Sequence, residues 1–356
     1  MSLPEMEVMI GQMIVMDLRG TTVSEDIAKM LEAGPLGGFL LFPGNDAAPE
    51  QVRRLTDSLR ELSSSYPPMI AIDQEGGRVL RLKKPFTQIP AMRRLGAKND
   101  EGLALEIGKV FGSELRAVGI NTDFAPVVDL DLNPDNQVIG DRALHSDPQV
   151  VSRLACAIIR GLQSEKIVTC AKHFPGHGAS REDSHLELPT VSEDAQLVRG
   201  RELGPFKDAI ACGAETVMIG HIRYPAFDKY HPASLSEPVI TGLLRKEMGF
   251  DGVIVVDSLE MKALAGIPVG DRAFMAARAG ADIMLIAEGL ESAKTIHMML
   301  CQAVTMGLLP VEKITDAFSR IMKLKEKFLK PSDLPPVAEV SRIVGSAEHQ
   351  KIAASF

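Results

Sequence analysis

A chain of 356 residues, 45% of them hydrophobic, carries enough material for one large α/β core or two smaller ones. Its 39 basic against 47 acidic residues, a net charge of −8, argue against a nucleic-acid or anionic-membrane surface, and no basic run restores either. No stretch approaches the ~18 consecutive apolar residues of a membrane span.

Eight strand-like apolar runs follow one another, at residues 12–17, 38–42, 68–73, 120–126, 166–171, 216–220, 252–257 and 282–286. Amphipathic segments fall between them, among them 24–33, 49–62, 101–118, 149–164, 192–211 and 237–248. In the fifth of these, Ser192 has the look of an N-cap, followed by Glu193 and Asp194 in a first turn. Gly119, Gly213 and Gly280 stand just past helical patterns, where a left-handed residue turns the chain back toward the sheet. This alternation predicts a parallel sheet closed into a (β/α)8 TIM barrel, a single catalytic domain over residues 1–330. An open doubly wound sheet is the alternative, but no GxGxxG occupies the first βα turn and no GxxxxGK[ST] occurs. Residues 310–329 predict a closing helix, with Ile314, Ala317, Phe318, Ile321, Leu324 and Phe328 on one face and Pro310 at its first position. The run 330–336, KPSDLPP, reads as a linker, and 331–356 as a tail whose short helix at 347–354 packs on the barrel.

Cys156, Cys170, Cys212 and Cys301 are widely separated, lie in apolar patterns and match no metal-ligand spacing. They are expected to be reduced core thiols of a cytosolic protein. The first twenty residues lack the basic and apolar regions of a signal peptide, so a cytoplasmic location is expected.

In a parallel barrel the strand C-termini form the active face. Strand three ends in Asp73. Strand four runs into Asp129 and Asp131, then a loop with Asp141 and Arg142. Strand five delivers Lys172 and His173, with His177, Asp183 and His185 on the loop beyond; strand six ends at His221 and strand seven at Asp257. Charged groups at five strand ends point to a polar pocket rather than to isolated caps. Asp257, taken alone, is also a candidate cap for a helix beginning near Ser258. In the site it would be a nucleophile, or the electrostatic partner of a developing cation. Asp183 and His185, one residue apart, face the same way in an extended loop, so the carboxylate can hold the ring in one tautomer for acid–base work near neutrality. Taken alone they are a solvated polar loop. Lys172 beside His173 also admits a structural ion pair with Asp73 or Asp129. His173 and His177 have the i, i+4 spacing of zinc ligands, but Pro175 and Gly176 break any helix between them and HExxH is absent. No metal is expected, and no GxSxG elbow presents a serine. The glycine-rich stretch 176–180 suggests a moving loop that brings His185 in.

The motifs IDQEGGRVLRL (72–82), VIGDRALHSDP (138–148), KHFPGHGASREDSHLELP (172–189) and GFDGVIVVDSLEM (249–261) together resemble glycoside hydrolase family 3, specifically its single-domain β-N-acetylglucosaminidases. The resemblance spans most of residues 1–330. It implies a (β/α)8 barrel and a retaining mechanism, with Asp257 as nucleophile and His185, supported by Asp183, as acid/base. Family members with a second domain take the acid/base carboxylate from it, and this chain stops too early for that domain, which favours the histidine. The motif positions also imply sugar binding by Asp73, Arg81, Arg142, Lys172 and His173. The implied substrate is a small saccharide or muropeptide bearing a terminal β-linked N-acetylglucosamine, met during peptidoglycan recycling. The enzyme is expected to be a monomer and to need no cofactor. Alternatives left open are β-glucoside or β-xyloside hydrolysis, phosphorolysis, and a non-catalytic saccharide-binding barrel.

Overall fold

A computed structural model describes residues 3–33, 36–46, 48–63, 66–329 and 334–356. Eight parallel strands close a barrel: β1 (Ile14–Leu18), β2 (Gly38–Leu41), β3 (Met69–Ile72), β4 (Thr122–Asp123), β5 (Val168–Phe174), β6 (Thr216–Ile219), β7 (Val253–Val256) and β8 (Ile283–Ile286). Each pairs with its neighbours in the chain, and Ile14 opposite Met284 closes the ring. The alternation in the sequence predicts this fold, and every residue of the eight strands is buried. Strands packed on both faces read as unbroken apolar runs. Among the described residues no helix is long and apolar enough to cross a membrane.

The helices are set by local signals. Asp100 accepts from Leu103 N and Asp147 from Gln149 N, opening Glu101–Ala117 and Pro148–Ser164. Gly119, Gly213 and Gly280 take φ of +77°, +97° and +106°, as their positions before strands require.

Several expectations need correction. The segment 192–211 is two helices, Ala195–Gly200 and Leu203–Ala211, and Asp194 rather than Ser192 caps the first. Pro205 lacks an N–H, so the chain restarts a helix that holds this proline in its first turn. Pro238–Glu247 is wound as a π-helix. Pro310 caps the helix Val311–Phe328 instead of opening it. β4 pairs over two residues only, although Phe124 N still donates to the Ile72 carbonyl and Cys170 N to that of Ala125. β5 runs three residues past its expected end, through Lys172, His173 and Phe174, with a register shift against β6. The Lys172–His173 and Phe174–Pro175 peptide bonds are cis.

Cys156 and Cys212 are not free thiols: they form a disulfide with Cα atoms 5.7 Å apart, while Cys170 is buried and Cys301 half-buried as thiols. The pair is 56 residues apart in sequence. It meets only because the helices Pro148–Ser164 and Leu203–Ala211 lie side by side in the outer ring.

The helix Ala347–Ala354 stands where the sequence places it, with Ser346 accepting from His349 N. Buried Glu114 accepts from Thr87 N, Thr87 Oγ1, Gly345 N and His349 Nδ1, tying this segment to the helix Glu101–Ala117. Residues 330–333 of the expected linker lie outside the described residues.

Opposite the active face, Lys325 is buried with no carboxylate partner among the described residues. Its Nζ donates to Gln12 Oε1 at 2.6 Å and the Gly37 carbonyl at 2.9 Å. A neutral amine has two N–H bonds for these two acceptors, and burial pushes the group down to about 7 from its ordinary 10.5. Between those values the unfolded chain holds the proton and the folded chain does not. Stability therefore rises with pH through that window, by at most about 1.4 kcal/mol per pH unit, and the contribution of this group is level below it, where both states hold the proton. Denaturant titrations at several pH values are expected to show this slope in the wild type and its loss in Lys325→Met. Alkylating the unfolded, unreduced chain is expected to label Cys170 and Cys301 only, two thiols of the four cysteines.

Candidate active site

The floor of the site lies at the ends of β3, β4 and β5. Asp73 directly follows β3, and its two oxygens part between Lys172 Nζ at 2.7 Å and Arg81 Nη2 at 3.1 Å. Two residues on, in the short extended piece Gln74–Gly76, Glu75 faces the same way. It accepts both arms of Arg142, at 2.7 and 2.8 Å, and lies 2.5 Å from Lys172 Nζ. Burial raises both carboxyls, yet Arg142 and Lys172 at Glu75, and Lys172 and Arg81 at Asp73, outweigh it and hold both below their ordinary values. The same partners overcome burial at Lys172 and Arg142 and raise them above theirs. All of these groups are therefore charged at neutral pH.

Asp129, at the far end of the segment after β4, is wholly buried. Its Oδ2 accepts from His173 N at 3.0 Å and His173 Nδ1 at 2.7 Å, and its Oδ1 from His177 N at 2.6 Å. Arg142 Nη2, which only donates, lies 3.3 Å from His173 Nε2, so the His173 proton sits on Nδ1. Asp123, at the end of β4, is buried with one oxygen on Gln74 N and the other without a partner among the described residues. Burial lifts its carboxyl well above the ordinary value and favours the neutral acid.

The stretch 176–180, expected to move, is instead packed. Gly178 sits so close to the Leu130 carbonyl that a Cβ would collide with it, and His177 and Ser180 are buried. Asn136 Nδ2 donates to the His177 carbonyl at 2.8 Å, and the Tyr224 hydroxyl to that of Gly176 at 2.7 Å. Burial pushes the His177 ring down to about 4, so it is neutral; its Nδ1 meets Ser180 Oγ at 2.7 Å and its Nε2 meets Ser184 Oγ at 3.0 Å. Exposure begins at Arg181.

Beyond it, Asp183 Oδ1 accepts from His185 N at 2.7 Å and His185 Nδ1 at 2.9 Å. The contact expected of an extended loop is made instead by a turn, in which Leu186 N and Glu187 N donate to the Asp183 carbonyl. A carboxylate only accepts, so the proton sits on Nδ1. Nε2 has no hydrogen-bond partner among the described residues, and the side chain is 66% exposed. Asp257 follows β7, its N donating to the Ile219 carbonyl at 3.1 Å and its Oδ1 accepting from Ser258 N at 2.8 Å. It caps no helix, since the short 3-10 helix Lys262–Leu264 has Met261 at its N-cap position and the next α-helix, Val269–Ala279, has Pro268. His221 buttresses it: Nε2 donates to the Ser258 carbonyl and Nδ1 accepts from the Ser234 hydroxyl, each at 2.7 Å. Burial lowers His221, which keeps this ring neutral beside the Asp257 carboxylate and His185. Among the described residues no group of three or more His, Cys, Asp and Glu side chains is placed to hold a metal ion.

Of the residues singled out in the sequence, the structure joins Asp73, Arg81, Arg142, Lys172 and His173 into one network and Asp183 with His185 into a second. Asp257 stands at the same barrel face. The ion pair foreseen for Lys172 forms with Asp73; Asp129 takes His173 instead. Glu75 was not foreseen, although its place two residues past Asp73 in an extended segment is a signal for it. His177 carried no sign of its role beyond a spacing suited to a metal.

A parallel barrel with charged groups gathered at its strand C-termini is the architecture of a barrel enzyme, and paired donors and acceptors beside the Asp257 carboxylate suit a sugar substrate. Residues 5–324 match the family model described as the glycosyl hydrolase family 3 N-terminal domain, and the chain belongs to that family. It is 40% identical over 287 residues to a β-hexosaminidase of Nitrosomonas eutropha, covering 79% of this chain and 82% of that one. Among solved structures, a family 3 β-N-acetylglucosaminidase from Paenibacillus sp. FPU-7 superposes with a TM-score of 0.91 at 37% identity, over 98% of this chain and 67% of that one. NagZ from Neisseria gonorrhoeae, in complex with N-trifluoroacetyl-D-glucosamine, gives 0.82 at 31% identity over 96% of both chains. The protein is thus a glycoside hydrolase, not a non-catalytic barrel.

Glu75→Ala would leave Arg142 without its carboxylate and Lys172 with only one, both nearly dry. Denaturant unfolding is expected to show a loss of about 3–5 kcal/mol, and a smaller one for Glu75→Gln, which keeps the hydrogen-bond acceptor.

Proposed function

We propose that the protein removes terminal, non-reducing β-linked N-acetylglucosamine with retention of configuration, Asp257 acting as nucleophile and His185 as acid/base. The observation that carries this is the state of His185: Asp183 holds its Nδ1–H, and Nε2 has no partner among the described residues, at the barrel face that carries Asp257. The names of the similar proteins support the N-acetyl substrate.

The sugar is held by Asp73, Arg81, Arg142, Lys172 and His173. Their charges are already paired, so hydroxyl and carbonyl groups, rather than a free anion, fit against them. Arg81 keeps a buried Nε with no partner among the described residues, a donor that a sugar hydroxyl would satisfy. In the first step an Asp257 oxygen bonds to the anomeric carbon as the glycosidic C–O bond breaks, and His185 Nε2–H passes its proton to the leaving oxygen. In the second, Nε2 takes a proton from water whose oxygen attacks the same carbon, and the Asp257 ester bond breaks. Asp183 keeps its charge throughout and stabilises the imidazolium form that the cycle requires.

The substrate class we infer is a peptidoglycan fragment, a muropeptide ending in this sugar. The expected cytoplasmic location rested partly on four reduced thiols, and the Cys156–Cys212 disulfide removes that support.

Wild type is expected to hydrolyse p-nitrophenyl β-N-acetylglucosaminide without added phosphate and to release the β-anomer by NMR, with Asp257→Ala inactive. Greater turnover of the matching β-glucoside would overturn the substrate, and a strict need for phosphate would overturn hydrolysis. His185→Ala is expected to lose about 10²–10⁴ in kcat/KM on di-N-acetylchitobiose and far less on a dinitrophenyl glycoside. Equal losses on the two would remove His185 from the acid/base role.

A further inference from the structure

From Arg181 to Glu187 the acid/base loop is exposed or half-buried at every residue but one. Ser184, between Asp183 and His185, is 3% exposed, while His185 and Leu186 on its far side stand in solvent. A polar side chain buried alone in an exposed loop is held there by what it bonds. Ser184 Oγ lies 3.0 Å from His177 Nε2, and the Ser184 carbonyl accepts from Ala263 N at 3.2 Å.

These two bonds lead to the two halves of the site. His177 is rooted in the floor, its N on Asp129, which also holds His173, and its Nδ1 on Ser180. Being neutral, the ring has one N–H and one lone pair, and two flanking hydroxyls that both donate and accept satisfy it completely. Ala263 belongs to the turn that follows Asp257, within Lys262–Leu264. Ser184 is therefore the point where the acid/base loop is tied both to the sugar-holding floor and to the nucleophile's loop. The dyad bond between Asp183 and His185 spans this residue, so a shift of Ser184 moves the whole dyad.

We propose that Ser184, through His177, is a positioning residue that sets where His185 Nε2 stands relative to Asp257; this rests on His185 being the acid/base. Ser184 touches no reacting atom. The hydroxyl orders the loop, and a loop free to swing would spend less time with the acid at the leaving oxygen. A further reason for this assignment is economy of contact, since the exposed neighbours offer the loop no other buried polar anchor among the described residues.

The test is kcat/KM for wild type, Ser184→Ala, Ser184→Thr and His185→Ala on di-N-acetylchitobiose, whose leaving group needs protonation, and on a dinitrophenyl β-N-acetylglucosaminide, which does not. Ser184→Ala removes one oxygen and adds no bulk, so folding is preserved, and thermal unfolding confirms it. The disaccharide is expected to fall at least ten-fold more than the aryl glycoside in Ser184→Ala, with part of that difference restored by the hydroxyl of Ser184→Thr. A purely structural role would lower both substrates together, and that result, or no loss on either, would overturn the proposal. His185→Ala separates the two levels. If it shows the leaving-group split and Ser184→Ala does not, positioning by Ser184 fails alone. If His185→Ala shows no split, the acid/base assignment fails and this proposal with it.

Discussion

The site hangs on the Asp129 carboxylate. Buried without water, it is tolerable only because three N–H groups close around it, two of them backbone, from His173 and His177. Those donors force the chain after β5 to wrap one small anion, and the wrapping fixes where the side chains point. It turns the His173 ring so that Nε2 meets Arg142. Arg142 then grips Glu75, Glu75 and Asp73 together grip Lys172, and alternating charges join three strand ends that are far apart in sequence. Each ion is buried or half-buried and each has its counter-ion. Such a network contributes less to stability than an apolar core of equal size, but loss of any one member is expensive. It exchanges stability for a surface of fixed donors and acceptors.

The catalytic loop follows a different rule. Its dyad is half-buried at Asp183 and exposed at His185, and within residues 181–187 Ser184 alone is buried. A group that must give up and recover a proton in each cycle needs contact with water and with varied leaving groups, which the buried floor cannot offer. The floor recognises and the exposed loop reacts. Between them lies a packed segment, 176–180, in which Gly178 allows close approach to the Leu130 carbonyl and Gly176 supplies a φ of +128°, rather than flexibility.

Local pattern carried far in this chain. The barrel was legible because strands covered on both faces must be apolar throughout and the helices between them amphipathic. The pairing of Asp183 with His185 was legible from their spacing, although a turn whose Leu186 N and Glu187 N donate to the Asp183 carbonyl, not extended backbone, brings it about. Errors fell where a distant neighbour decides. Ser192 and Asp194 are both residue types that cap helices, and the helix opens at Ala195, which makes Asp194 the cap. Glu75 sat beside Asp73 in a quoted motif, but its importance follows from Arg142, 67 residues on. Cys156 and Cys212 looked like unrelated core thiols until two helices brought them together.

By itself, then, the sequence determined the closed parallel barrel, the face that carries the chemistry and the residue types gathered there, because hydrophobic period and strand-end position are local properties. Only the tertiary structure decided which carboxylate serves which cation, that two of four cysteines pair, and that Ser184 anchors an otherwise exposed loop. Those outcomes depend on distances between segments remote in the chain and on exclusion of water, and no local pattern encodes either.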